Sequence, residues 1–187
     1  SADATVKIWN VATGLRLDTL GQPLKEQYVV RFSPDGRFVI SGGLDNRIRV
    51  WRVVSRTKPQ INPLEVARIA HEGAVIQLGF SPDGSRLVSI ADDQTASVWE
   101  TKNYTQIGSF KPQADVTPAL NFAPDGKSFL VGRIDGSLER IRLDQMTPIE
   151  TSTAKVVVAA AMVDRETLSI DEVEPNDLPE QTQVIQL

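Results

Sequence analysis

Phe32-Ser33-Pro34-Asp35-Gly36 recurs as Phe80-Ser81-Pro82-Asp83-Gly84 and again as Phe122-Ala123-Pro124-Asp125-Gly126, at spacings of 48 and 42 residues. A second marker keeps step with it. Asp3 stands six residues before Trp9, Asp45 six before Trp51, Asp93 six before Trp99, and Asp135 six before Ile141, where the tryptophan is replaced. Two markers sharing one period establish an internal repeat, and a period of about 40–45 residues is that of a four-stranded structural unit.

Each marker has a physical reading. Pro-Asp-Gly between apolar runs is a tight turn: proline presets φ, aspartate bonds nearby backbone, and glycine accepts positive φ without steric penalty. The flanking runs, Tyr28 to Phe32 and Arg37 to Ile40, are rich in β-branched and aromatic residues and read as strands. A bend over Gly42 to Asn46 leads to a third strand, Arg47 to Trp51. A fourth is expected at Leu64 to Ile69, and its counterpart in the next unit at Tyr104 to Phe110. The expected fold is all-β, a partial β-propeller of four-stranded antiparallel blades followed by an irregular tail. No helix is expected.

The combination Phe-Ser-Pro-Asp-Gly, a bend aspartate and Thr-x-x-[Ile/Val]-Trp resembles the WD-repeat family over roughly residues 1–150. Ser1-Ala2-Asp3-Ala4-Thr5-Val6-Lys7-Ile8-Trp9-Asn10 is similar to the end of such a repeat almost throughout. The family's Gly-His before the first strand is approximated only by Ala70-His71, and the unit ending at Ile141 has lost its tryptophan. The resemblance implies a little over three repeats, ending near 10, 51, 99 and 141, within a propeller region at 1–163. Propellers of this kind close with about 4–8 blades, so the reading expects further blades upstream. Ser55 to Pro63 carries the extra length of the longer unit and reads as an exposed excursion of the sort that holds binding specificity.

Beyond Ile141 the repeat fades. Lys155 to Val163 reads as one more buried strand. Residues 164–180 hold seven acidic residues against one arginine, and read as an acidic linker. Glu172 to Asp177 with Gln181 to Leu187 resembles the opening strand, at 181–187, of a bacterial pre-peptidase C-terminal domain. An ordinary inter-domain linker accounts for the same stretch. The first reading implies a bacterial multidomain protein, periplasmic or extracellular; without it a cytoplasmic location stands.

The 187 residues are 41% hydrophobic and 24% charged, a globular composition. No apolar run approaches the roughly 18 residues of a membrane span, so no membrane partner is expected. The net charge of −4 disfavours a nucleic-acid surface. With no cysteine and one histidine, transition-metal sites would rest almost wholly on carboxylates, and none has ligand spacing; no cofactor is expected. His71, Ser89, Asp93 and Trp99 superficially suggest a hydrolase triad. The family resemblance instead implies a structural hydrogen-bonded network among these four, and no catalytic residue is assigned. Asp3, Trp9, Asp45, Trp51 and Asp135 define the repeat. Arg47, Arg49, Arg52 and Arg56 are the candidate contacts for an acidic partner. The functional reading is a protein–protein interaction scaffold without catalytic activity; the alternative is an accessory propeller domain of an exported bacterial enzyme whose catalytic domain lies outside this chain.

Overall fold

In the computed structural model, residues 1–110, 113 and 115–149 are described. The readings at Lys155 to Val163, 164–180 and 181–187 lie outside these residues. The described part is all-β. Its only helical element is a 3₁₀ turn, Leu143–Gln145.

The turns organise everything else. Gly36, Gly84 and Gly126 adopt φ of 66°, 71° and 64°, conformations that cost other residues roughly 1–2 kcal/mol. Asp35 Oδ1 accepts from the Ser33 hydroxyl at 2.6 Å and from the Arg37 amide at 2.9 Å, and Asp83 repeats the pattern with Ser81 and Ser85. These donors hold both carboxyls down to about pKa 2. A strand enters and leaves each turn as a hairpin arm.

β1 (Val6–Trp9) and β2 (Arg16–Leu20) form a two-stranded half-blade. Blade I runs β3 (Gln27–Phe32), β4 (Phe38–Gly43), β5 (Arg47–Arg52) and β6 (Leu64–Ile69) in sequential antiparallel order. Blade II repeats it with β7 (Val75–Phe80), β8 (Arg86–Ala91), β9 (Ala96–Glu100) and β10 (Thr105–Phe110). Blade III contains β11 (Ala119–Phe122), β12 (Ser128–Gly132) and β13 (Leu138–Arg142). Among the described residues no fourth strand follows β13 in that blade. The chain turns at Leu143–Gln145 and pairs β14 (Thr147–Pro148) with the outer edge of β10, at Gly108 and Ser109.

Three apolar layers hold the blades face to face. Val6, Ile8 and Leu20 pack on Val39 and Trp51; Ile40, Ile48 and Val50 pack on Leu78, Leu87 and Trp99; Val88, Ala96 and Val98 pack on Phe129 and Ile141. The rule is the period-2 alternation of strands. In the third strand, the tryptophan or its replacement faces the preceding blade, and residues one and three before it face the following blade. Trp9, at the corresponding position of β1, is 53% exposed. At the other end Leu138 is 76% exposed and Arg140 stands where blades I and II place Val50 and Val98.

Candidate functional site

His71 lies in the connection from β6 to β7, Ser89 within β8, Asp93 and Thr95 in the bend after it, and Trp99 on β9. Strand pairing sets Ser89 opposite Ser97 and Leu87 opposite Trp99, so the indole reaches diagonally to the serine. Trp99 Nε1 donates to Ser89 Oγ at 2.9 Å. Ser89 Oγ is 2.7 Å from His71 Nε2, and His71 Nδ1 is 2.6 Å from Thr95 Oγ1. Thr95 Oγ1 donates to Asp93 Oδ1 at 2.6 Å.

Donor counting gives this chain a direction. Asp93 is an acceptor, so the Thr95 proton is spent on it and Thr95 oxygen accepts from His71 Nδ1–H. His71 Nε2 is then an acceptor, filled by the Ser89 hydroxyl, whose oxygen takes the Trp99 N–H. Burial is the main cause holding the His71 pKa below 6.5, against the opposing pull of Asp93. The Asp93 carboxyl is also lowered: four donors, from Thr95 twice, Glu72 and Gly73, outweigh its desolvation. His71 Nδ1 and Asp93 Oδ1 are 3.8 Å apart, too far for a direct bond, and Thr95 bridges them. Ser89 is 0% exposed. Its oxygen has no approach for a substrate carbonyl, and both its hydrogen-bonding directions are used.

Thr95 was not among the residues singled out from the sequence. A signal for it was present in the spacing Asp-x-Thr/Ser, which recurs as Asp3-Ala4-Thr5, Asp93-Gln94-Thr95 and Asp135-Gly136-Ser137. The middle residue takes positive φ in every unit: Ala4 55°, Asn46 63°, Gln94 66°, Gly136 85°. Blade I breaks the pattern with Arg47 in the threonine's place.

The other blades fill their centres differently. In blade I the Ser41 hydroxyl donates to Gln27 Oε1 at 2.6 Å, and the Trp51 indole makes no hydrogen bond among the described residues. Asp45 meets Arg49, with Nη1 2.6 Å from Oδ2 at side-chain exposures of 4% and 5%. That contact is out of line for a hydrogen bond, and both Asp45 Oδ1 and Arg49 Nη1 are buried without one. In blade III Arg133 bonds Gln113 Oε1 at 3.1 Å and pairs with Glu139.

The four candidate arginines do not form one cluster. Arg47 begins β5 at the end remote from the Pro-Asp-Gly turn, and Arg49 is buried in mid-strand. Arg52 pairs with Glu65 at 2.6 Å near the turn end. Arg56 Nη2 donates to the Asp35 carbonyl at 2.9 Å. The Ser55 to Pro63 excursion is tied down as a strap. Asn62 donates twice to Asp18 Oδ2 at 2.8 Å, Gln60 N bonds Leu17 O, and Asn10 bonds Arg56 O.

Residues 24–52 and 64–100 match the family model "WD domain, G-beta repeat". The first segment spans β3–β5 of blade I, and the second spans β6 of blade I and β7–β9 of blade II, so the second matched repeat straddles two blades. Serine-threonine kinase receptor-associated protein of Bos taurus is 24% identical over 166 residues, which is 86% of this chain and 43% of that protein. Protein HIR1 of Eremothecium gossypii is 34% identical over 108 residues, 51% of the chain and 13% of that protein. Protein groucho of Drosophila melanogaster is 27% identical over 138 residues, 71% and 18% respectively. The chain thus spans less than half the length of these curated relatives. The two segments that match the WD-repeat model, 24–52 and 64–100, contain the Pro-Asp-Gly turns, the bend aspartates and the inward tryptophans of blades I and II.

Proposed function

We propose that the chain is a protein–protein interaction scaffold with no catalytic activity of its own. The observation that carries this reading is the burial of Ser89 and His71 inside blade II, where their polar atoms are consumed by Thr95, Trp99 and each other. The residues that most resemble a hydrolase thus serve the blade, and what remains accessible are rim turns and strand ends on a rigid support. The names of two similar proteins, a receptor-associated protein and subunit 5 of transcription initiation factor TFIID of Caenorhabditis elegans, describe chains that work in company. Arg47, Arg52 and Arg56 are the arginines of the candidate set with access to an acidic partner; Arg49 contributes through its buried pairing with Asp45. A nucleic-acid partner is disfavoured by the net charge of −4.

The test is an array of random dodecapeptides probed with the full 187-residue chain, alongside hydrolysis of p-nitrophenyl acetate. Reproducible peptide retention, with ester hydrolysis identical in wild type and Ser89→Ala, is the expected result. Turnover that disappears in Ser89→Ala, with no peptide retained, would overturn the reading.

A further inference from the structure

Two grooves of about 760 Å³ each open along the Pro-Asp-Gly rim, one at the junction of blades I and II and one at the junction of blades II and III. They are repeat-related. Pro34, Phe80 and Tyr104 line the first; Pro82, Pro124 and Met146 line the second; Asp83 and Ser85, in the turn of blade II, border both. The shared border makes them adjacent seats along one edge, not two isolated cavities.

Their electrostatics are lopsided in what is left over. Every carboxylate of the three turns is occupied locally: Asp35 by Ser33 and Arg37, Asp83 by Ser81 and Ser85, Asp125 by the Lys127 amide and Arg140. Asp144 is held by Arg142, and Glu65 by Arg52. Among the described residues Arg68 and Lys102 in the first groove, and Arg86 and Lys127 in the second, face no carboxylate within 4 Å. Each groove therefore offers two cations that no carboxylate neutralises, beside proline, aromatic or methionine surface; Arg68 also donates through Nε to the Tyr104 carbonyl at 3.1 Å, which leaves its other guanidinium nitrogens for a ligand.

We infer that these paired grooves receive one extended, acidic segment of a partner protein whose carboxylates alternate with apolar side chains. An extended chain advances about 3.3 Å per residue, so a peptide of ten or so residues has the reach to set acidic groups beside both cation pairs while apolar residues settle on Pro34 and Tyr104 in one seat and on Pro82, Pro124 and Met146 in the other. This rests on the scaffold reading above and places the partner on the turn rim, whereas Arg47 lies at the opposite end of its strand.

The experiment uses the same dodecapeptide array and the full chain, in wild-type, Lys102→Glu/Lys127→Glu and Lys102→Gln/Lys127→Gln forms, each checked for unchanged far-ultraviolet circular dichroism. Both lysines are exposed and neither ammonium group bonds another described residue, while the Lys127 backbone contacts survive the exchange, so no side-chain fold contact is lost. The expected result is enrichment of acidic-apolar peptides, about tenfold weaker binding to the Glu variant, an intermediate loss with Gln, and weakening as salt rises. Peptides retained equally by all three forms would overturn the groove assignment and leave the scaffold reading intact. No retention of any peptide would remove both. Retention of an oligothymidylate 12-mer in place of peptides, lost in the Glu variant, would reassign the rim to nucleic acid and overturn the inference.

Discussion

Blades I and II share turns, strand order and register, yet their centres are filled by different chemistry. Blade II runs a directed chain of hydrogen bonds from Trp99 through Ser89, a neutral His71 and Thr95 to the partly exposed carboxylate of Asp93. Blade I has Arg47 where the threonine would be, buries the charged pair Asp45–Arg49, and leaves Asp45 Oδ1 and Arg49 Nη1 without a hydrogen bond. The backbone is thus fixed by what the blades have in common, namely apolar faces and Pro-Asp-Gly turns. The polar centre is a fitting that varies within that frame. A fully bonded network that ends near solvent and a half-satisfied buried ion pair differ in what happens when one member is removed.

The widest separation between the blades is expected at the bend aspartates. Asp45→Ala strands the buried Arg49 guanidinium and should cost about 3–5 kcal/mol in urea unfolding. Asp93→Ala frees backbone and hydroxyl donors nearer solvent and should cost about 1–3 kcal/mol. The pair Asp45→Leu/Arg49→Met should recover most of the blade I loss; equal costs in the two single variants would refute the contrast.

The tryptophans come next. Trp99→Phe deprives Ser89 of its donor inside a closed network and should cost about 2 kcal/mol. Trp51→Phe removes no hydrogen bond and should cost about 1 kcal/mol through volume alone. If both fall by the same amount, the indole bond to Ser89 is without energetic weight.

Acid should separate the blades in a graded way. Burial holds the His71 pKa below 6.5, so the unfolded chain takes up the proton first. The stability contributed by neutral His71 is full above pH 6.5 and declines as pH falls from there toward its lower folded value. Urea midpoints measured from pH 7.5 to 5 should slope downward in wild type and flatten in His71→Gln. His71→Ala should lower the melting temperature at pH 7.5; an unchanged value would count against the network. Below about pH 4 the turns add a second loss, as Asp35 and Asp83 protonate toward their values of about 2.

The smallest effect is a gain. Gln94 holds φ of 66° in the bend of blade II, where blade III has Gly136. Gln94→Gly should stabilise by about 0.5–1 kcal/mol, set by relief of left-handed strain against added chain entropy. A loss would show that the Gln94 side chain holds the bend in place.

Much of this was legible because it is local. Phe-[Ser/Ala]-Pro-Asp-Gly at 32, 80 and 122 encodes turns through the conformational limits of proline and glycine, and period-2 runs encode strands that bury alternate faces. The sites were less legible. His71, Ser89, Asp93 and Trp99 stand in one network, but Thr95 completes it through a hydroxyl whose role depends on a bend three residues long. Arg47, Arg49, Arg52 and Arg56 read as one basic cluster in the sequence. Strand geometry carries Arg47 to one rim, Arg49 to the interior and Arg52 to the other rim, because the six residues of β5 span the blade and place its first and last residues at opposite ends.

The sequence by itself determined the blade: its turns, its strands, its period, and the third-strand tryptophans that face the preceding layer. Only the tertiary structure decided how each centre is filled, that the Ser55 to Pro63 excursion straps β1 and β2, and that β14 joins blade II instead of completing blade III. The physical reason is range. Turn and strand preferences act over a few residues, whereas pairing Arg49 with Asp45, roofing Gly36 with Arg56 and laying adjacent grooves along the turn rim depend on which faces meet after the blades have stacked.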